Sequence, residues 1–257
     1  PRSIPLRYLW NRHCVPGMSP AFRVALTLML ARLQPHGHTR ASRGTRLQYC
    51  SRTRFSDDML SHEEFLAPLA RRRTEEVVVT TMSVVRPWSR HSDHNLDFAS
   101  ADSAMGHAAD LALGIALACP ERKVLCLNGD GSMLMSLGTL VTIVEAGVDN
   151  LIIFVVANQT YEITGNQPIP GAGSIDFVTI AKGAGFKRTF AFDRADEFDR
   201  QLDRILSAPG PTFVCVCVEP GSEDVISRGP GEEARYLQVS LADWSKQMRD
   251  VLTERDK

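Results

Sequence analysis

Several absences narrow the class of this 257-residue chain before any motif is read. Its six cysteines, Cys14, Cys50, Cys119, Cys126, Cys215 and Cys217, include no C-x-x-C pair, so zinc ribbons and cysteine-held iron–sulfur clusters have no ligand set. No hydrophobic run approaches the ~20 residues that cross a bilayer. Internal repeats, low-complexity tracts and heptad arrays are also missing. Lysine is absent from residues 1–58, where ten Arg face only Asp57 and Asp58. The other 199 residues carry 19 basic and 28 acidic side chains, so the formal net charge of −1 sums two unlike regions.

The opening segment admits three readings. An Arg-rich, acid-poor stretch resembles an organelle transit peptide. It could be a basic arm for an acidic partner or nucleic acid. It could also be a non-native extension upstream of a start at Met59. No amphipathic or aromatic-interleaved pattern supports the first two, and ten Arg without one Lys fits a biased upstream sequence better than a selected polybasic arm. Residues 1–58 are therefore read as an Arg-rich leader, disordered or non-native, with no function. No nucleic-acid or membrane partner is expected. Residues 59–257 are read as one domain. Cys215 and Cys217 alternate within the apolar run 212–218 and read as buried strand residues, so nothing calls for an oxidising compartment and the expected location is cytoplasmic.

From Met59 onward, strand and helix patterns alternate. A helical pattern at 61–72 precedes the β-branched run 77–81. Arg86-Pro87-Trp88 and then a polar, His-containing loop are expected to about Ala99. Residues 103–118 are apolar almost all round and predict a helix buried on most faces. Residues 123–128 read as a fully buried strand. One helix is then expected to about Ala146, with Met133, Leu137, Leu140 and Val144 as its core stripe. Strand 151–157, loop 159–174, helix 175–184, strand 188–192, helix 195–207, strand 212–218, loop 219–235 and helix 241–252 follow. This alternation predicts an α/β fold: a three-layer, doubly wound, mainly parallel sheet.

In such sheets ligands bind where strands finish. Here two successive strands end in oxygen-bearing side chains, Asp130 after the first and Asn158 after the second. Gly131 and Ser132 open the helix between them, where bare N–H groups favour a phosphate. One carboxylate and one amide oxygen suit Mg²⁺, which completes its shell with phosphate and water. An Asp after a strand often only caps the next helix. Asn158, one crossover later, is what raises the pattern above a Gly-rich turn.

The stretch from Gly129-Asp130-Gly131 to Asn158 resembles the signature of thiamine-diphosphate (ThDP) enzymes, which opens with GDG and closes with Asn about thirty residues later. The flanks extend the likeness. Ser103-Ala104-Met105-Gly106-His107 resembles the cofactor-packing helix start of decarboxylases in this superfamily. The run from Asn158 to Pro168 is similar to the loop after the metal site in sulfopyruvate and phosphonopyruvate decarboxylases. The resemblance covers roughly residues 60–220 and implies the diphosphate-binding, C-terminal domain of that superfamily. It implies Asp130, Asn158 and the Thr160 carbonyl as Mg²⁺ ligands. Gly129, Gly131 and Ser132 would meet the diphosphate, with Ala104 and Tyr161 beside the cofactor. Met105 would prop its two rings apart, and the Ser103 carbonyl would accept from the aminopyrimidine. The family commonly doubles the Asn; here Gln159 follows.

In this superfamily a Glu from a separate pyrimidine-binding domain activates the cofactor, and residues 1–58 are too short to be that domain. The resemblance thus implies a hetero-oligomer, with a pyrimidine-domain subunit supplying the Glu. The reaction it implies is loss of CO₂ from a 2-oxo acid to leave an aldehyde. Arg86, His91 and His107 are the candidate substrate contacts, although His107 also stands three residues before Asp110 and His91 in a solvated polar loop. The same domain type serves 2-oxo acid oxidoreductase β subunits and acetolactate-synthase-like carboligases. A non-catalytic, ThDP-binding remnant is the remaining alternative.

Overall fold

Continuous apolar, β-branched runs build the sheet, as parallel strands covered on both faces require. The computed structural model describes residues 59–99 and 105–254; the leader expected over 1–58 lies outside the described residues. In chain order the elements are α1 (His62–Arg72), β1 (Val77–Thr80), α2 (Val85–Ser89), β2 (Asp97–Ala99), α3 (Ala108–Ala118), β3 (Val124–Gly129), α4 (Asp130–Met135) and α5 (Thr139–Ala146). They continue with β4 (Leu151–Ala157), the two-residue strands β5 (Thr160–Tyr161) and β6 (Gln167–Pro168), α6 (Phe177–Ala184), β7 (Arg188–Phe192), α7 (Ala195–Ser207), β8 (Thr212–Cys217) and α8 (Leu241–Glu254). Six strands form one parallel sheet in the order β2-β1-β3-β4-β8-β7, and β5 and β6 make a small antiparallel hairpin. The expected α/β architecture is the one observed.

Register and side-chain alternation define the layers. Phe154 pairs with Val214 and Ile153 with Phe213, so Phe154 and Phe213 point to opposite faces. Phe65 of α1 packs on Phe154 with ring centroids 5.8 Å apart. Phe198 of α7 lies 5.4 Å from Phe65 and 5.4 Å from Phe192, which puts α1 and α7 on one face. Phe186, just past α6, meets Phe213 on the other face, where α5 packs against both α3 and α6. Local chemistry starts and ends these helices. Ser61 and Glu64 form a reciprocal capping box on α1. Asp176 accepts from the Thr179 N–H at 2.9 Å to cap α6, which closes on Gly185 at φ +107°.

Four local expectations change. The segment read as a polar loop ends in the edge strand β2, and Arg86-Pro87-Trp88 just before it belong to α2. Pro87 is tolerated in α2 because a helix's first turn has no inward N–H partner to lose. β2 is pinned by Trp244, whose indole N–H donates to the Asp97 carbonyl at 2.8 Å, while the buried Asp97 carboxylate pairs with Arg73 at 3.2 Å. The single helix expected to Ala146 is two, because Ser136 turns to donate its hydroxyl to the Gly106 carbonyl. Helix α3 starts at Ala108 and is buried on one face only, leaving Leu117 55% exposed. Among the described residues no helix is long and apolar enough to cross a membrane.

Candidate functional site

β3 and β4 run in register from Val124 opposite Leu151 to Gly129 opposite Val156, so the residues just beyond them meet at one sheet end. The chain order reverses around β1, which has β2 on one side and β3 on the other. A ligand crevice belongs at such a switch point, beyond the carboxyl ends of the strands. The cavity there is lined by Met82 and Ser83 after β1, Met105, Gly129 to Ser132, Asn158, and Thr160 to Thr164.

Asp130 is 1% exposed and Asn158 3%. The Asp130 carboxylate accepts the Gly131 N–H at 2.7 Å and the Gln159 N–H at 2.6 Å. Gln159 reaches it by taking φ +62°, a left-handed conformation that Asn adopts more readily than Gln. The Asn158 Oδ1 accepts the Thr160 N–H at 3.1 Å, and its Nδ2 donates to Glu162 Oε2 at 2.8 Å. Gly131 is required sterically, since a Cβ there would sit 2.5 Å from Tyr161 Cε1. Ser132 accepts the Gly106 N–H at 2.9 Å, tying the turn that carries Met105 to the start of α4.

Burial pushes Asp130 up to about 7, against hydrogen bonds from Gln159 and Gly131 that lower it, and the Glu162 charge adds to the rise. Among the described residues no Lys, Arg or His lines the cavity. A buried carboxylate with no cation beside it is a fit for one brought from outside. The donor set is hard oxygen, which suits Mg²⁺ or the similarly hard Mn²⁺ and not a metal that seeks thiolate or imidazole. No three His, Cys, Asp or Glu side chains converge as a metal cage among the described residues, so such an ion would draw further ligands from backbone, water or its own cofactor.

Of the residues singled out by sequence, Met105, Gly129, Asp130, Gly131, Ser132, Asn158, Thr160 and Tyr161 line this cavity. Ser103 and Ala104 lie outside the described residues. The three proposed substrate contacts are not brought to it. Arg86 binds Glu232 at 2.9 and 2.8 Å and the carbonyls of Asp224 and Val225. His91 lies 2.9 Å from Glu63, and His107 lies 3.0 Å from Asp110. Glu162 was missed: only 5% exposed, it lines the cavity. A Glu four residues after the Asn was its only signal, and loop Glu residues are ordinarily solvated.

The family model for thiamine pyrophosphate enzymes, C-terminal TPP binding domain, matches residues 79–216. A phosphonopyruvate decarboxylase of Streptomyces viridochromogenes is 35% identical over 180 residues, covering 69% of this chain and 44% of that protein. A sulfopyruvate decarboxylase subunit beta of Methanothermobacter thermautotrophicus is 40% identical over 122 residues, covering 48% of this chain and 62% of that one. The chain thus spans less than two thirds of either relative. The structure of a Rhodococcus jostii thiamine diphosphate-dependent 4-hydroxybenzoylformate decarboxylase superposes with a TM-score of 0.56 at 21% identity, covering 78% of this chain and 40% of that one, which is a likeness of fold. The strand-end site and the family match coincide, and the chain belongs to the thiamine pyrophosphate enzymes through their C-terminal TPP binding domain.

Proposed function

We propose that residues 59–257 are the diphosphate-binding domain of a two-chain, ThDP- and Mg²⁺-dependent 2-oxo acid decarboxylase of the sulfopyruvate or phosphonopyruvate type. The observation that carries this reading is the charge of the cavity. Two buried carboxylates, Asp130 and Glu162, face it and among the described residues no basic side chain does, so a diphosphate would enter with a bridging dication. Asp130, Asn158 and the Thr160 carbonyl would hold Mg²⁺. Gly131 and Ser132 would meet the diphosphate, with Gly129 beneath and Tyr161 packed over the Gly131 Cα. Met105, at the cavity rim, would set the angle between the cofactor's rings, with Ser103 and Ala104 preceding it. The bound cofactor supplies a nucleophilic carbon and an electron sink, so that a 2-oxo acid loses CO₂ and gains a proton in its place as aldehyde.

The activating Glu is assigned to a pyrimidine-domain subunit. Support for a partner comes from Leu117, Met135 and Val141, which are 55–57% exposed on α3, α4 and α5. Leu117 and Val141 lie on helices that pack together, and exposed apolar side chains of this size suit a subunit contact. The test is to co-produce the chain with a candidate pyrimidine-domain subunit and follow aldehyde from sulfopyruvate, phosphonopyruvate and pyruvate. Aldehyde that requires ThDP, Mg²⁺ and Asp130 is expected; production that survives Asp130→Ala overturns the assignment.

A further inference from the structure

We propose that Glu162 is a positioning residue for the cation site, whose carboxylate turns the Asn158 amide so that Oδ1, and not Nδ2, faces the ion. This rests on the cation site proposed above. An Asn amide has an accepting end and a donating end, and only the accepting end binds a cation. A carboxylate can only accept, and a backbone N–H can only donate. Glu162 Oε2, 2.8 Å from Nδ2, and the Thr160 N–H, 3.1 Å from Oδ1, therefore fix one orientation between them.

Glu162 is itself held in place. Its Oε1 accepts the Glu223 N–H at 3.2 Å, and Gly221 packs so closely that a Cβ there would stand 2.6 Å from the same oxygen. Asn166 donates to the Gly221 carbonyl at 3.0 Å and locks that approach. The loop after β8 thus clamps Glu162, which in turn clamps the metal-facing amide. A loop carboxylate serving only solubility would be exposed, whereas this one is 5% exposed. Second-layer partners of metal ligands of this kind typically alter metal affinity by about 10–100-fold.

Mn²⁺ uptake, read by loss of the free-ion electron paramagnetic resonance signal with ThDP present, tests the assignment on the full chain; the melting temperature of the metal-free protein is read in parallel. Glu162→Gln keeps the shape but offers both a donor and an acceptor, so the amide loses its fixed orientation. Its affinity is expected to drop roughly ten-fold with the metal-free melting temperature unmoved. Asn158→Asp places two carboxylates together and should bind worse still. The exchange Asn158→Asp/Glu162→Gln restores one donor and one acceptor in register and should recover affinity to within about three-fold of the parent chain. If Glu162→Gln binds like the parent while Asp130→Ala has lost binding, Glu162 has no positioning role and the site stands. If Asp130→Ala binds like the parent, or the parent takes up no Mn²⁺, the site itself is wrong.

Discussion

Around α2, Arg86 holds Glu232 at 2.9 and 2.8 Å, and Arg90 reaches both Glu223 and Glu233 at 2.7 Å. At the ends of β3 and β4, Asp130 and Glu162 are buried with no ion-pair partner among the described residues. The hydrogen bonds from Arg86 hold Glu232 down at about 2, while burial drives Asp130 up to about 7. The first set of carboxylates is neutralised within the chain and fastens the loop 219–235 to the fold. The second is left unneutralised at the place where a parallel sheet collects ligands. Charge balance, more than residue type, separates the structural acids from the candidate site acids here.

Removing the unbalanced charge should have the largest effect. With its folded value raised from 3.8 to about 7, Asp130 costs the metal-free chain stability as pH climbs between those values, up to about 4 kcal/mol. Asp130→Ala should flatten that slope in urea midpoints and stabilise the metal-free chain at pH 8, while saturating Mg²⁺ and ThDP should flatten it for the parent. A parent midpoint that rises between pH 4 and 7 would contradict the assignment.

Breaking the balanced set should act in the other direction. Arg86→Ala leaves Glu232 with only Ser227 as donor and takes the Arg86 donor from two loop carbonyls, at a cost of about 2–3 kcal/mol near neutral pH. Glu232, lowered from 4.5 to about 2 by Arg86 first and Ser227 second, lends stability above pH 4.5 that is lost as pH falls towards 2, and the variant should show a weaker acid dependence. The smallest change sharpens the site without touching its charges. Gln159→Asn at φ +62° should raise stability by about 0.5 kcal/mol, seen as a higher urea midpoint with Mn²⁺ affinity unaltered.

The sheet was legible because its strands are uninterrupted apolar runs, as in 124–127 and 151–157, which in a chain alternating with helices have one packing solution. Asp130 and Asn158 were legible as neighbours in one candidate site because each directly follows one of two adjacent strands. What escaped depended on distant contacts. Strand β2 has three residues and is held by Trp244, 147 positions away. The break after Met135 hides inside an unbroken apolar period, since Ser136 leaves the helix for a carbonyl 30 residues back. Glu162 looks like any loop acid until Gly221 and Glu223 close over it. Arg86 and His91 stood out for their basic side chains and His107 also for its place just after Met105, and each is engaged by an acid of the same chain.

The six-residue helix α4 is too short to persist on local propensity. Ser132 and Ser136 each reach Gly106, whose φ of +88° and contact with Met135, 3.1 Å from where its Cβ would lie, leave no room for another residue. The turn bearing Met105 and the helix beginning at Asp130 therefore order or fray together, as one mechanical unit with three rivets. A ligand gripping either part sets the opening rate of both, so occupancy of this end of the sheet can be followed as slowed amide exchange in α4, without any catalytic assay.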